Sequence, residues 1–104
     1  MDERTLEQSL VRFLQQNPEF YSLVKDKKQL MVVEALEEKP IDFGRLRFKL
    51  SSISIKEVQE IASMLLEKKL VSLAENKGRQ FYSLPEKTID FLKKFRAAKG
   101  KLTF

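Results

Sequence analysis

Apolar side chains recur at Leu6, Leu10, Phe13 and Leu14, an interval that gathers them on one face of a helix over residues 5–16. Thr5 is placed to cap that helix, and Asn17-Pro18 ends it. Phe20, Tyr21, Leu23 and Val24 make a compact apolar cluster ahead of the charged break Lys25-Asp26-Lys27-Lys28. A second helix follows, with Leu30, Val33 and either Ala35 or Leu36 inward, and Glu38-Lys39-Pro40 stops it.

Beyond Pro40 the punctuation becomes more specific. Ile41 suits a short extended step, and Asp42 is a cap for a helix with Phe43, Leu46 and Leu50 inward and Arg45, Arg47 and Lys49 largely outward. The turn Ser51-Ser52-Ile53-Ser54 leads into a second capped start. Ser54 and Glu57 have capping-box spacing, each able to satisfy a free amide of the other, with Ile53 and Val58 as the hydrophobic staple. Val58, Ile61, Ala62, Leu65 and Leu66 form the buried stripe of a helix over 54–69, with Lys68 and Lys69 at its C-terminus. Val71 and Leu73 then alternate with polar residues, and Phe81 and Leu84 do so less cleanly. The intervening Glu75-Asn76-Lys77-Gly78-Arg79-Gln80 holds an Asn and a Gly able to take the positive φ of a tight hairpin. Pro85-Glu86 opens a last helix whose stripe is read as Ile89, Leu92 and Phe95, with Phe91 off it, fraying at Ala97-Ala98-Lys99-Gly100.

Composition narrows what such a chain can do. At 104 residues it is expected to be one domain, with a helical extension over 1–27, a core over 28–96 and a basic tail over 97–104. The chain has no Cys and no His, which removes thiol chemistry, the usual zinc sites and the commonest general base. Asp26, Asp42 and Asp90 are too scattered to suggest a metal cluster, so no catalytic set, metal or cofactor is expected. The polar N-terminus and the lack of a long apolar run point to a cytoplasmic protein without membrane contact. The net charge is +5, and residues 71–104 hold eight basic and three acidic side chains, so the excess lies in the C-terminal third. A one-sided basic surface is what a phosphate backbone selects, although Lys93, Lys94, Arg96, Lys99 and Lys101 equally suit a solvated helix face and tail.

Two stretches carry a family likeness. SIKEVQEIASMLLEKKLV, from Ser54 to Val71, and FYSLPEKTIDFLKKF, from Phe81 to Phe95, resemble the recognition helix and the strand-plus-helix after the wing in winged-helix transcriptional regulators of the MarR, PadR and ArsR kind. The resemblance implies a mainly α (α+β) winged helix-turn-helix with an additional N-terminal helix and a C-terminal helix. It further implies that Lys56, Gln59, Glu60 and Ser63 line a face of the recognition helix, 54–69, that enters the major groove. Lys77 and Arg79 would tip a wing over 74–81 that meets the backbone or minor groove.

The expected function is therefore sequence-specific binding of double-stranded DNA by a regulator. Arg45, Arg47, Lys49 and Ser52 are its candidate phosphate contacts, and Gln59 is chemically suited to read adenine. A homodimer is expected from the added N-terminal helix and the apolar positions of the last one, since two half-sites multiply affinity. The alternative is a winged-helix protein-interaction module of a larger assembly, because Glu60 and Glu67 offset Lys56 on the recognition helix. Phe20, Tyr21, Phe43, Phe48 and Phe95 are expected in the core.

Overall fold

In the computed structural model, which describes residues 3–102 with side chains from Gln8 to Ala98, local polar groups set several of the helix boundaries. α1 runs Glu3–Gln16, so Thr5 lies inside its first turns rather than at a cap. Leu6 lies outside the residues with described side chains. Asn17 and Pro18 end α1 and open a single 3₁₀ turn, Pro18–Phe20, followed by α2 (Tyr21–Lys25). Asp26 then stops α2 and caps α3 (Lys27–Ala35), its carboxylate accepting from the amides of Lys28 and Gln29. The charged break is thus a cap between two helices.

Asp42 caps α4 (Phe43–Lys49) by accepting from the Arg45 amide at 2.9 Å. Ser54 caps α5 (Ile55–Glu67) through the Glu57 amide at 3.2 Å. The reciprocal half of the capping box is absent. Glu57 turns to α3 and takes the Lys28 ammonium at 2.6 Å instead. α5 ends in a Schellman motif: the Lys69 amide bonds to the Leu66 carbonyl and the Leu70 amide to that of Leu65. Lys69 takes the left-handed residue of that motif, at φ 65°.

β1 (Ser72–Asn76) and β2 (Arg79–Ser83) pair antiparallel, with Asn76 opposite Arg79 and Leu73 opposite Tyr82. The turn is therefore Lys77-Gly78, with φ of 54° and 78°, the positive pair of a type I′ hairpin. Asn76 belongs to the ladder, and Lys77 takes the strained position instead. Ile41 adds a single antiparallel bridge to Tyr82 at the hairpin's base.

α6 runs Glu86–Leu102, continuing through the Ala97–Gly100 stretch expected to fray. Its buried face is also not the expected one. Thr88, Phe91, Leu92 and Ala98 are buried and Phe95 is partly so, whereas Ile89 is only half-buried. Phe91 sits at the centre of an aromatic cluster, its ring centroid 5.1 Å from Phe20, 5.6 Å from Phe95 and 6.1 Å from Phe13. Polar Thr88 is buried on the same face because its hydroxyl donates to the Leu70 carbonyl at 2.7 Å. Phe13, Leu14, Phe20 and Leu23 join Leu46, Val58 and Leu65 in one core, so the segment before residue 28 supplies part of it. The order α3–α4–α5–β1–β2 around this core is a winged helix-turn-helix, with α1 and α6 packed together.

Candidate nucleic-acid interface

The outward face of α5 follows from its inward one. With Val58, Ala62 and Leu65 buried, the helical period turns Lys56, Gln59, Glu60, Ser63 and Glu67 to solvent. Lys56, Gln59, Glu60 and Ser63 line one open groove of about 480 Å³ together with Met64 and Glu67. Long polar side chains on an exposed helix are the means by which base edges are read. The formal charge of this face is carried by one lysine and two glutamates, so cations for phosphate must come from elsewhere.

α4 and the wing carry them. Arg45, Arg47 and Lys49 are exposed on α4, as Leu46 and Leu50 take the buried side. Neither Arg45 nor Arg47 has a carboxylate partner among the described residues, and Lys49 reaches the Ala35 carbonyl at 3.4 Å. Ser52 is exposed in the turn between the helices. Lys77 projects at the hairpin tip with no ion-pair partner among the described residues.

Arg79 is engaged differently from its expected place at the wing tip. Its guanidinium Nη2 lies 2.7 Å from Asp42 Oδ2, while Asp42 Oδ1 caps α4. With the Ile41–Tyr82 bridge and the Phe43 and Tyr82 rings at 6.3 Å, this pair fastens the wing to the start of α4. Arg45, Lys49 and Arg79 are brought together around a second groove, whereas Arg47, Ser52 and Lys77 line neither. Asp42 in its double role went unrecognised from sequence. Asp42 and Arg79 are far apart along the chain, and only the wing's pairing register joins them.

Two of the C-terminal cations, Lys94 and Arg96, are occupied. Lys94 bonds both oxygens of Asp90 at 2.9 Å and lies 5.6 Å from the centre of the Phe13 ring. Arg96 spans Glu34 on α3 and Glu37 in the turn just beyond it, and its pKa is raised chiefly by the hydrogen bond to Glu37. Lys28 is likewise raised by its hydrogen bond to Glu57. The Arg96–Glu34 and Lys28–Glu57 pairs tie helices together, whereas Lys94–Asp90 lies within α6. Lys93 is exposed, and the side chains of Lys99 and Lys101 lie outside the described residues.

Phe48 overturns one expectation outright, as it is 82% exposed on α4, and Tyr21 is also exposed at the surface rather than in the core. Among the described residues no group of three or more acidic, Cys or His side chains is placed to hold a metal, and no helix is long and apolar enough to cross a membrane.

No family model matches the chain, and no curated protein matches it. Solved structures do, at low sequence identity. NolR from Sinorhizobium fredii superposes with a TM-score of 0.67 at 20% identity, over 96% of this chain and 94% of that one. A homodimeric winged helix-turn-helix DNA-binding domain from Mycobacterium bovis, a possible ArsR-family transcriptional regulator, gives 0.64 at 13% identity over 98% and 90%. A mutant of ZitR from Lactococcus lactis gives 0.64 at 22% identity over 73% of this chain, which spans about half, 53%, of the ZitR chain. The shared feature is the fold.

Proposed function

We propose that this chain is a duplex-DNA-binding transcriptional regulator that works as a homodimer. In this reading α5 enters the major groove, and Lys56, Gln59, Glu60 and Ser63 meet base edges. Arg45, Arg47, Lys49 and Ser52 sit on the phosphate backbone and the Lys77-Gly78 tip on backbone or minor groove, with Arg79 holding the wing base and available to phosphate. The observation that carries it is an exposed, polar α5 face in a winged helix-turn-helix whose α4 and wing offer Arg45, Arg47 and Lys77 without carboxylate partners among the described residues. Glu60 fits this reading as an acceptor for cytosine, and Gln59 as a bidentate partner of adenine. The regulators among the solved neighbours add support, and the homodimeric one supports a dimer.

Within the described part of the α1 stripe, Phe13 and Leu14 are buried in the chain's own core and so are not free for that dimer. The exposed apolar group on the described part of α1 is Val11, so Val11→Glu should shift the chain towards monomer in sedimentation without unfolding it.

The test of the DNA reading is titration of duplex DNA by fluorescence anisotropy across a salt series. Affinity should fall steeply as salt rises, and Arg45→Ala with Arg47→Ala should flatten the slope by roughly one unit per lost phosphate contact. Gln59→Ala should instead change which sequences are selected from a random pool. Absence of duplex binding even at low salt would leave the second reading, a protein-interaction module, which Glu60 and Glu67 on the outer face of α5 favour.

A further inference from the structure

Phe48, at 82% exposed, is the most exposed large apolar side chain among the described residues. It borders a cavity of about 660 Å³ on the outside of α4, shared with Asp42, Gly44, Arg45, Lys49 and Arg79. Gly44 lies one helical turn before Phe48, on the same face. The described glycine with a positive φ is Gly78, so Gly44 is not needed for its backbone angles. Nor is it needed for packing, since a Cβ there would meet only Asp42 Oδ1, at an ordinary 3.6 Å. Glycine is a poor helix former, and α4 is a short helix. What the missing side chain does is leave the floor of the cavity open beside the Phe48 ring.

The rim of that cavity is positive. Arg45 has no carboxylate partner among the described residues, and the Lys49 ammonium reaches only a carbonyl. Asp42, the acid in the lining, is already committed to Arg79 and to the α4 cap. We propose that this groove docks an acidic protein segment bearing one large apolar side chain. The apolar side chain seats against Phe48 over Gly44, and flanking carboxylates pair with Arg45 and Lys49. An exposed aromatic beside arginine is the composition of interface hot spots.

Charge complementarity selects this occupant over two others. A second copy of the chain, docked two-fold through this face, would bring Arg45, Lys49 and Arg79 against their own equivalents. A phosphate backbone would use the cations but offers the ring no apolar surface. The proposal does not depend on the DNA reading. Where both hold, the segment competes with DNA for Arg45, which makes the groove a point of control.

The test pans the full chain against a displayed library of Asp- and Glu-rich peptides, each carrying one Phe, Trp or Leu. The enriched peptide is then measured by fluorescence anisotropy. Phe48→Ala and Gly44→Leu should each weaken it about tenfold or more. Both variants should keep the parent's thermal midpoint or exceed it, and both should bind duplex DNA as the parent does. Three results would overturn the proposal: no enrichment above the starting library, equal binding by Phe48→Ala, or equal binding of a peptide whose apolar residue is replaced by Ser. Loss of duplex or single-stranded DNA binding in both variants would place the ring on nucleic acid instead. Dissociation of a self-associated parent by Phe48→Ala would assign the groove to a second copy.

Discussion

The α1–α6 end of the molecule and the β1–β2 hairpin are built on opposite principles. At the first, Phe13, Phe20, Phe91 and Phe95 interlock, and Thr88 is buried with its hydroxyl satisfied. At the second, every residue of β1 is exposed, and the hairpin is held at its base by one backbone bridge, one ion pair and one ring contact. Burial makes one end expensive to alter and chemically silent. Exposure leaves the other cheap to alter and free to meet a partner. A two-stranded hairpin is at best marginal alone, so its few attachments decide where its tip stands.

The largest expected effect tests the packed end. Phe91→Ala removes the ring that touches three other aromatics and should destabilise the fold by about 3–5 kcal/mol in urea titration followed by circular dichroism. A loss no greater than that of a wing substitution would erase the contrast between the two ends. Thr88→Val keeps the shape but strips the donor from the buried Leu70 carbonyl, and about 1–3 kcal/mol should go with it. Thr88→Ser, which keeps the hydroxyl, should recover most of that. If Val and Ser behave alike, the hydrogen bond is not what holds α6 to the end of α5.

At the wing's base the same assay should register less. Asp42→Ala removes the α4 cap and frees Arg79, and should cost about 1 kcal/mol, nearly all from the cap. The Arg79 side chain is 69% exposed, so the ion pair itself contributes little in water. Asp42→Asn keeps a capping oxygen and loses the charge, so it should stay near the parent in stability. Its wing should nevertheless move more, as faster amide exchange at Tyr82, whose amide bonds the Ile41 carbonyl. Equal losses for Ala and Asn would mean that the ion pair, rather than the cap, carries the energy.

How far the sequence revealed these two ends depended on whether the deciding interaction was local. The starts of α4 and α5 were legible because Asp42 and Ser54 cap amides three residues away. The second half of the Ser54–Glu57 box was not, since Lys28 comes from a different helix. Phe91 was assigned to the wrong side because Thr88, a polar residue on the buried face, masked the Thr88–Phe91–Leu92–Phe95 stripe. Its partner is a carbonyl eighteen positions away, which no spacing reveals. Phe48 is the opposite case, since the information was present. At about 100° per residue it falls roughly 140° from Phe43, while Leu46 and Leu50 stay close to Phe43. Helical phase alone turned it outward, against its apolar character. Among the candidate DNA residues, the shared α5 face was implied by the family resemblance, and the burial of Val58, Ala62 and Leu65 turns Lys56, Gln59, Glu60 and Ser63 to one exposed side. The Arg79–Asp42 pair required the hairpin register, which long-range pairing sets.

The smallest stability effect is the sharpest test of the division. Lys77 holds φ 54° at the first turn position, a conformation costly for a lysine and well tolerated by asparagine. Lys77→Asn should therefore raise stability slightly, by about 0.5 kcal/mol, as an increase in thermal midpoint. A fold selected only for stability has no use for lysine there, and a wing tip that meets phosphate does. The same substitution should thus weaken duplex DNA binding for all sequences alike and reduce the salt slope by about one unit. Stability and binding moving in opposite directions would mark Lys77 as retained for contact at the expense of its turn. If binding is unchanged while stability rises, the tip does not touch DNA. If both fall, the strain at φ 54° is relieved by some contact of the lysine stem, and the wing tip is more like the packed end than its exposure suggests.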